Sequence, residues 1–171
     1  MSAEKFWYVG FVKSCQEKRA AEALREKGEE YFLPVQRVHK RWSDRMKWVD
    51  VLVMRGMIFL YITEKRRIPL LSEIYGLYGY MTEGGTYHPV TVPPDEMETF
   101  KFMLSQSAMP VSVTQQPLHK GEKVMVVRGP LCGLKGELID VGKRKRVIVR
   151  FPLLGTASVE VPLENVERIE L

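Results

Sequence analysis

The sequence predicts an α+β N-terminal domain, an antiparallel sheet flanked by helices, joined by a linker to a small all-β barrel. Three observations predict it. Strand-like and helix-like segments alternate up to about residue 105. A Ser/Gln/Pro run, SQSAMPVSVTQQP, then interrupts the pattern. Beyond it the chain is rich in Val and Gly and carries no helix signature. The predicted domains are 1–106 and 119–171, with the linker at 107–118.

Phe6 to Val12 is dense in aromatic and β-branched residues and reads as the first strand. Ser14-Cys15-Gln16-Glu17 fits a capping box, in which the serine oxygen accepts the N3 amide and the glutamate reaches back. Gly28 stands where a left-handed C-terminal cap is wanted, so a helix is predicted between the two. Tyr31 to Val35 is a second short strand. The basic segment Arg37 to Lys47 then leads by a hairpin into Val51 to Thr63, an apolar run interrupted at Gly56 that suits a central buried strand.

Leu70 to Ile74, after Pro69, is a short helix; Gly- and aromatic-rich GLYGYMTEGG and strand-like HPVTVP come next. Pro93-Pro94-Asp95-Glu96 opens a last helix, with proline in the first turn and acids complementing the dipole. Met97, Phe100, Met103 and Leu104 share one face of it and are candidate core. The order is β-α-β-β-α-β-α.

Past the linker, Lys123 to Arg128, Gly136 to Val141, Arg146 to Phe151 and Thr156 to Val161 are short strands, with a terminal turn around Leu163 to Val166. Gly129-Pro130, Val141-Gly142 and Leu154-Gly155 punctuate them. So short an all-β piece predicts closure into a barrel, because an open sheet leaves unpaired edges.

Composition narrows the function classes. With 45% hydrophobic and 27% charged residues the chain is globular, which excludes a disordered tail or a collagen-like repeat. The longest unbroken apolar stretch, Met57 to Ile62, is far short of a bilayer span, and MSAEKFWYVGFVKSC has no signal-peptide pattern, so a cytoplasmic protein without membrane contact is expected. Cys15 and Cys132 lack C-x-x-C spacing and read as packing residues. With His39, His88 and His119 they supply a Cys/His pair, yet no nucleophile elbow, phosphate loop or metal spacing accompanies them. No enzyme, cofactor or metal is expected.

A net charge of +5 permits an anionic partner without demanding one. Its distribution says more. Arg37, Lys40, Arg41, Arg45 and Lys47 crowd one predicted hairpin, with Trp42 and Trp48 interleaved and His39 beside them. Arginine and lysine neutralise phosphates, and Trp or His rings stack on unpaired bases. Arg37, His39, Lys40, Arg41, Trp42, Arg45 and Lys47 are therefore candidate nucleic-acid contacts. The competing reading is a solvated hairpin with its tryptophans packed inward.

Two stretches resemble known modules. KGEKVMVVRGPLCGLKGELIDVGKRKRVIVRF resembles a KOW motif, a small SH3-like barrel. The preceding WYVGFV, capped helix, FLPV, basic hairpin and long apolar strand resemble the N-terminal domain of NusG, in the right order and at the right length. The resemblance covers nearly the whole chain. It implies a bacterial transcription elongation factor of the NusG group, and among its specialised paralogues RfaH and the UpxY-like antiterminators of capsular polysaccharide operons.

The resemblance further implies that the N-terminal domain packs on the clamp coiled coil of RNA polymerase and touches upstream or non-template DNA. The polymerase-facing patch falls on Trp7 and Tyr8 and on the segment Met54-Arg55-Gly56-Met57, where Gly56 alone keeps the family's Phe-Pro-Gly-Tyr signature. Met57, Ile58 and Phe59 keep the surface apolar, and methionine adapts to an irregular partner.

In the KOW module the resemblance implies a ribosomal protein or the Rho factor as partner, docked at the turn between the last strands. Leu153 and Leu154 in Phe151-Pro152-Leu153-Leu154-Gly155 stand there, with Lys143 and Arg144 on the neighbouring charged hairpin. That segment is longer than the family's and lacks its aromatic, which counts against the usual Rho contact and points to a paralogue serving particular operons. A monomeric antiterminator that suppresses pausing or termination is the expected function. An RNA-binding protein of the ribosome or translation apparatus, defined by its KOW half, is the alternative.

Overall fold

The first strand organises the N-terminal sheet, because it has a dense apolar face and a neighbouring strand on each side. The computed structural model describes residues 3–170. In chain order the elements are β1 (Lys5–Val12), α1 (Glu17–Glu26), β2 (Glu30–Phe32), β3 (Val35–Trp42), β4 (Arg45–Leu52), β5 (Met57–Thr63) and α2 (Glu64–Glu73). Then come β6 (Leu77–Tyr80), β7 (Thr91–Val92), α3 (Pro94–Gln106), β8 (Ser112–Thr114), β9 (Glu122–Val126), β10 (Lys135–Val141), β11 (Arg144–Phe151), β12 (Gly155–Glu160) and β13 (Val166–Arg168). A 3-10 turn over Leu163–Asn165 precedes β13. The result is a mixed α/β chain with antiparallel sheets and three α-helices among the described residues.

The chain divides into two compact units, Met1–Pro34 with Met54–Met97, and Val35–Val53 with Glu98–Leu171. In the first, a sheet of order β2-β5-β1-β6, with β7 also on β1, is antiparallel throughout. Period-two alternation sends Tyr8, Val12, Ile58, Leu60 and Ile62 to one face, where they form a core with Ala20, Ala21 and Leu24 of α1 and Leu70 of α2. Each fully buried Leu or Ile contributes on the order of 1.5–3 kcal/mol. The second unit holds the separate β3–β4 ribbon and a six-stranded antiparallel sheet of order β13-β9-β10-β11-β12-β8. Gly136 is obligatory in it, because a Cβ there would stand 2.4 Å from the Ile148 carbonyl oxygen.

Several expectations need correction. The capping box at Ser14 does not form: α1 starts at Glu17 behind Gln16, with no side-chain cap. The Glu17 carboxylate instead accepts the Gly56 amide at 2.9 Å. Gly28, by contrast, takes the left-handed conformation, and Glu29 N–H returns to the Leu24 carbonyl as a C-terminal cap should.

The predicted Val51 to Thr63 strand is two strands, β4 ending at Leu52 and β5 starting at Met57. Gly56 at φ +73° turns the chain between them, its amide held by Glu17 and its carbonyl by Val12 N–H. Helix α2 starts at Glu64 and runs through Pro69, where the sequence suggests a short helix after the proline. Leu70 anchors it in the core, and Arg67–Glu64 and Arg66–Glu73 ion pairs lie along it.

Part of the expected linker is structured: β8 pairs with β12, from Thr114 opposite Thr156 to Ser112 opposite Ser158. Both cysteines are exposed rather than packed, because each lies in a turn, Cys15 at φ +63° ahead of α1 and Cys132 between Gly129 and Gly133. No helix among the described residues is long and apolar enough to cross a membrane.

Candidate functional site

The β3–β4 ribbon pairs in unbroken register from Val35 opposite Leu52 to Trp42 opposite Arg45, with Ser43 and Asp44 as its tip. Alternation assigns every side chain to one of two faces. Arg37, His39, Arg41, Met46, Trp48 and Asp50 share one face; Gln36, Val38, Lys40, Trp42, Arg45, Lys47 and Val49 share the other. Trp42 and Trp48 are 60% and 56% exposed, so the inward-packed reading of the tryptophans does not hold. Each ring is backed on its own face: His39 stacks on Trp48 at 4.8 Å between centroids, and the Lys47 ammonium lies 5.6 Å from the Trp42 centroid. All seven residues predicted as nucleic-acid contacts are exposed and come together on this ribbon.

A two-stranded ribbon is marginal alone, and this one is anchored at its base. The buried Gln36 side chain donates to the Met109 carbonyl at 2.9 Å and accepts the Val111 amide at 2.8 Å. It thus pairs with the chain ahead of β8 as a backbone amide would, and fixes where the ribbon starts.

The residues predicted to face the polymerase divide differently. Trp7, Tyr8, Met54 and Ile58 are buried, and only Gly56 and Met57 keep partial exposure. The reason is register: Tyr8 lies opposite Leu60 on the face that forms the core with α1 and α2. Its hydroxyl donates to Glu64 at 2.7 Å, and Arg67 lies over both the Tyr8 and Tyr80 rings. Burial first, and then the Glu64 bond, pushes the Tyr8 hydroxyl up to about 12. Arg67, and then Tyr8, hold the Glu64 carboxyl below its usual range.

What the sheet leaves accessible is a strip of which the sequence names only Met57. Met57 lies opposite Phe11, both partly exposed, and Phe11 stacks on Tyr78 at 6.2 Å, with Tyr78 61% exposed. The signal is present in the period of two from Val9 to Phe11, but which face carries the helices is not written in β1 itself. Trp48 is the corresponding omission on the ribbon, and Glu17 the omission at the Gly56 turn.

A family model described as "Transcription termination factor nusG" matches residues 5–101. The chain belongs to the NusG family. No curated protein matches it. Among solved structures it is similar to one described as "Domain interaction in Thermotoga maritima NusG", at 18% identity and a TM-score of 0.56, covering 98% of each chain. It also matches the MjSpt4:Spt5 complex in conformations A and B, at 15% and 16% identity and TM-scores of 0.32, covering 96% of this chain and 98% and 97% of those.

Past the segment that the NusG family model matches, the predicted partner residues are also divided. Lys143 and Arg144 are exposed at the tip between β10 and β11, with Arg144 paired to Glu160 at 3.0 Å. Leu153 is half-buried, but Leu154 is fully buried, its carbonyl accepting the Gln115 side chain. Phe151 is buried too, edge-on to Phe100 at 5.7 Å. This turn therefore places Phe151 and Leu154 in the core and leaves Leu153 half-buried. Among the described residues no group of three or more His, Cys, Asp or Glu side chains is placed to hold a metal.

Proposed function

We propose that this member of the NusG family is a non-enzymatic transcription elongation and antitermination factor that binds RNA polymerase and suppresses pausing or termination at particular operons. The observation that carries the reading is the β3–β4 ribbon, which holds both tryptophans and its cations in solvent on an anchored base. In this reading the Met57–Phe11–Tyr78 strip meets the clamp coiled coil, and the ribbon meets upstream or non-template DNA. The strands after β8 act as a KOW module whose partner, a ribosomal protein rather than Rho, docks around Leu153 and the Lys143–Arg144 tip. The protein works in the cytoplasm as a monomer and needs no cofactor.

The physics is differential binding. A factor that fits the elongating clamp better than the paused one shifts that equilibrium by the difference in affinity. The test is a reconstituted elongation assay with purified RNA polymerase on a template carrying a pause and a terminator. The wild type should shorten the pause and raise read-through. Met57→Glu, at a partly exposed position, should lose both effects while keeping its thermal midpoint. Full activity in a folded Met57→Glu variant would remove the clamp contact from the reading, and ribosome binding without polymerase binding would transfer the function to the KOW half.

A further inference from the structure

Resting on the nucleic-acid reading of the ribbon, we propose that β3–β4 is a two-sided wedge for forked DNA, each face stacking on one of the two separated strands. A platform that serves one strand needs its aromatic rings on one face. Here Trp48 and Trp42 lie on opposite faces of a ribbon in continuous register. Each is more than half exposed, and each is braced by a neighbour on its own face, His39 behind Trp48 and Lys47 behind Trp42. A brace against one side of an indole leaves its other side open to a base, and adds polarisation or positive charge to the stack.

Charge is divided in the same way. Arg37 and Arg41 flank Trp48, and Lys40 and Arg45 accompany Trp42, so both faces offer cations to a phosphate backbone. The two faces are not equal in reach. Gln36 and Val38 are buried at the base of the Trp42 face, which leaves that platform confined to the outer half of the ribbon, whereas the Trp48 face is exposed from Arg37 to Met46. One strand thus runs along the ribbon and the other crosses near its tip. The Gln36 clasp holds the ribbon at its base, which lets it stand between two strands rather than fold onto one.

The experiment compares full-length wild type with Trp42→Ala, Trp48→Ala and the double variant, by fluorescence anisotropy on a labelled fork with two unpaired arms and on a labelled single strand. The wedge predicts that the wild type prefers the fork. On the fork, each single variant should lose about ten-fold in affinity, and the double variant should lose the product of the two. On the single strand, each single variant should lose little, because the other face substitutes, and only the double variant should lose binding. Trp42→Phe and Trp48→Phe, which keep a stacking ring, should recover most of the fork affinity.

Loss confined to one tryptophan on both DNAs, or equal affinity of the wild type for fork and single strand, overturns the wedge while leaving the nucleic-acid reading in place. A double variant that binds both DNAs like the wild type, with its elongation activity intact, overturns that reading as well.

Discussion

The β3–β4 ribbon and the β1–β5 strand pair are both antiparallel ladders studded with aromatic rings, yet they dispose of them in opposite ways. In β1–β5 the ladder lies inside a sheet, and Tyr8, Val9, Phe59 and Leu60 are buried. In β3–β4 the ladder has no further strand beside it, so Trp42, Met46 and Trp48 stay in water. A run of aromatics therefore reports function only where no layer covers it. Exposed rings clustered on one element mark an interaction surface where buried ones do not, which is why the ribbon, rather than the apolar strand β5, carries the functional reading.

Substituting on the buried side of that comparison should give the largest effect. Tyr8→Glu places a second carboxylate beside Glu64 in a core position, and should cost roughly 3–5 kcal/mol, enough to unfold a marginal domain. Thermal denaturation followed by circular dichroism checks it; a folded variant with a near-normal midpoint would mean that Tyr8 is far more accessible than its 2% exposure. The same substitution is accordingly a poor probe of polymerase binding, and Met57→Glu is the better one.

Next in size is the support of the Gly56 turn. Glu17→Ala leaves the Gly56 amide without its acceptor and should cost about 1–3 kcal/mol. Glu17→Gln retains an oxygen acceptor and should recover most of it. Equal losses in the two variants would show that the carboxylate charge near the start of α1, and not the bond to Gly56, is what stabilises the fold.

The buried tyrosines make the sheet sensitive to alkali. Tyr8 ionises at about 12 in the folded chain against 10.0 for an ordinary tyrosine, and burial raises Tyr80 as well. Below pH 10 both folded and unfolded states keep the Tyr8 proton and its contribution is complete. As pH rises from about 10 towards about 12 the unfolded state loses the proton first, so stability falls. Thermal midpoints measured across that interval should decline in the wild type and decline less steeply in Tyr8→Phe, whose lost hydrogen bond costs about 0.5–1.5 kcal/mol at neutral pH. Identical pH slopes would assign the alkaline transition to other groups.

Local chemistry is legible in the sequence, and long-range partnership is not. The Gly28 cap can be read because a helix end is decided within a few residues. The Ser14 to Glu17 segment has the pattern of a capping box, but the partner Glu17 takes, Gly56, lies 39 residues away and appears only once β1, α1 and β5 are packed. Alternation in β1 separates Tyr8 from Phe11 but cannot tell which of them faces α1 and α2, so Tyr8 reads as surface and Phe11 is overlooked. On the ribbon the basic and aromatic clustering is plain in the sequence, but the separation of Trp42 from Trp48 needs the hairpin register, and that register depends on a tip at Ser43-Asp44 with no strong turn signal.

The smallest structural effect is expected at Arg45, and for that reason it sharpens the comparison most. Arg45 is exposed, stands opposite Trp42 at the end of the ladder, and belongs to the face whose base is buried. Arg45→Ala should change stability by less than about 0.5 kcal/mol, since its side chain is exposed at the end of the ribbon. Its effect should appear instead in the salt dependence of DNA binding: removing one phosphate contact lowers the slope of log affinity against log salt by about 0.7 on a single strand and about 0.9 on a duplex. The size of that decrement reports which form of nucleic acid the tip meets. An unchanged slope would place the tip off the phosphate backbone, and leave Arg37 and Arg41, on the other face, as the cations that matter.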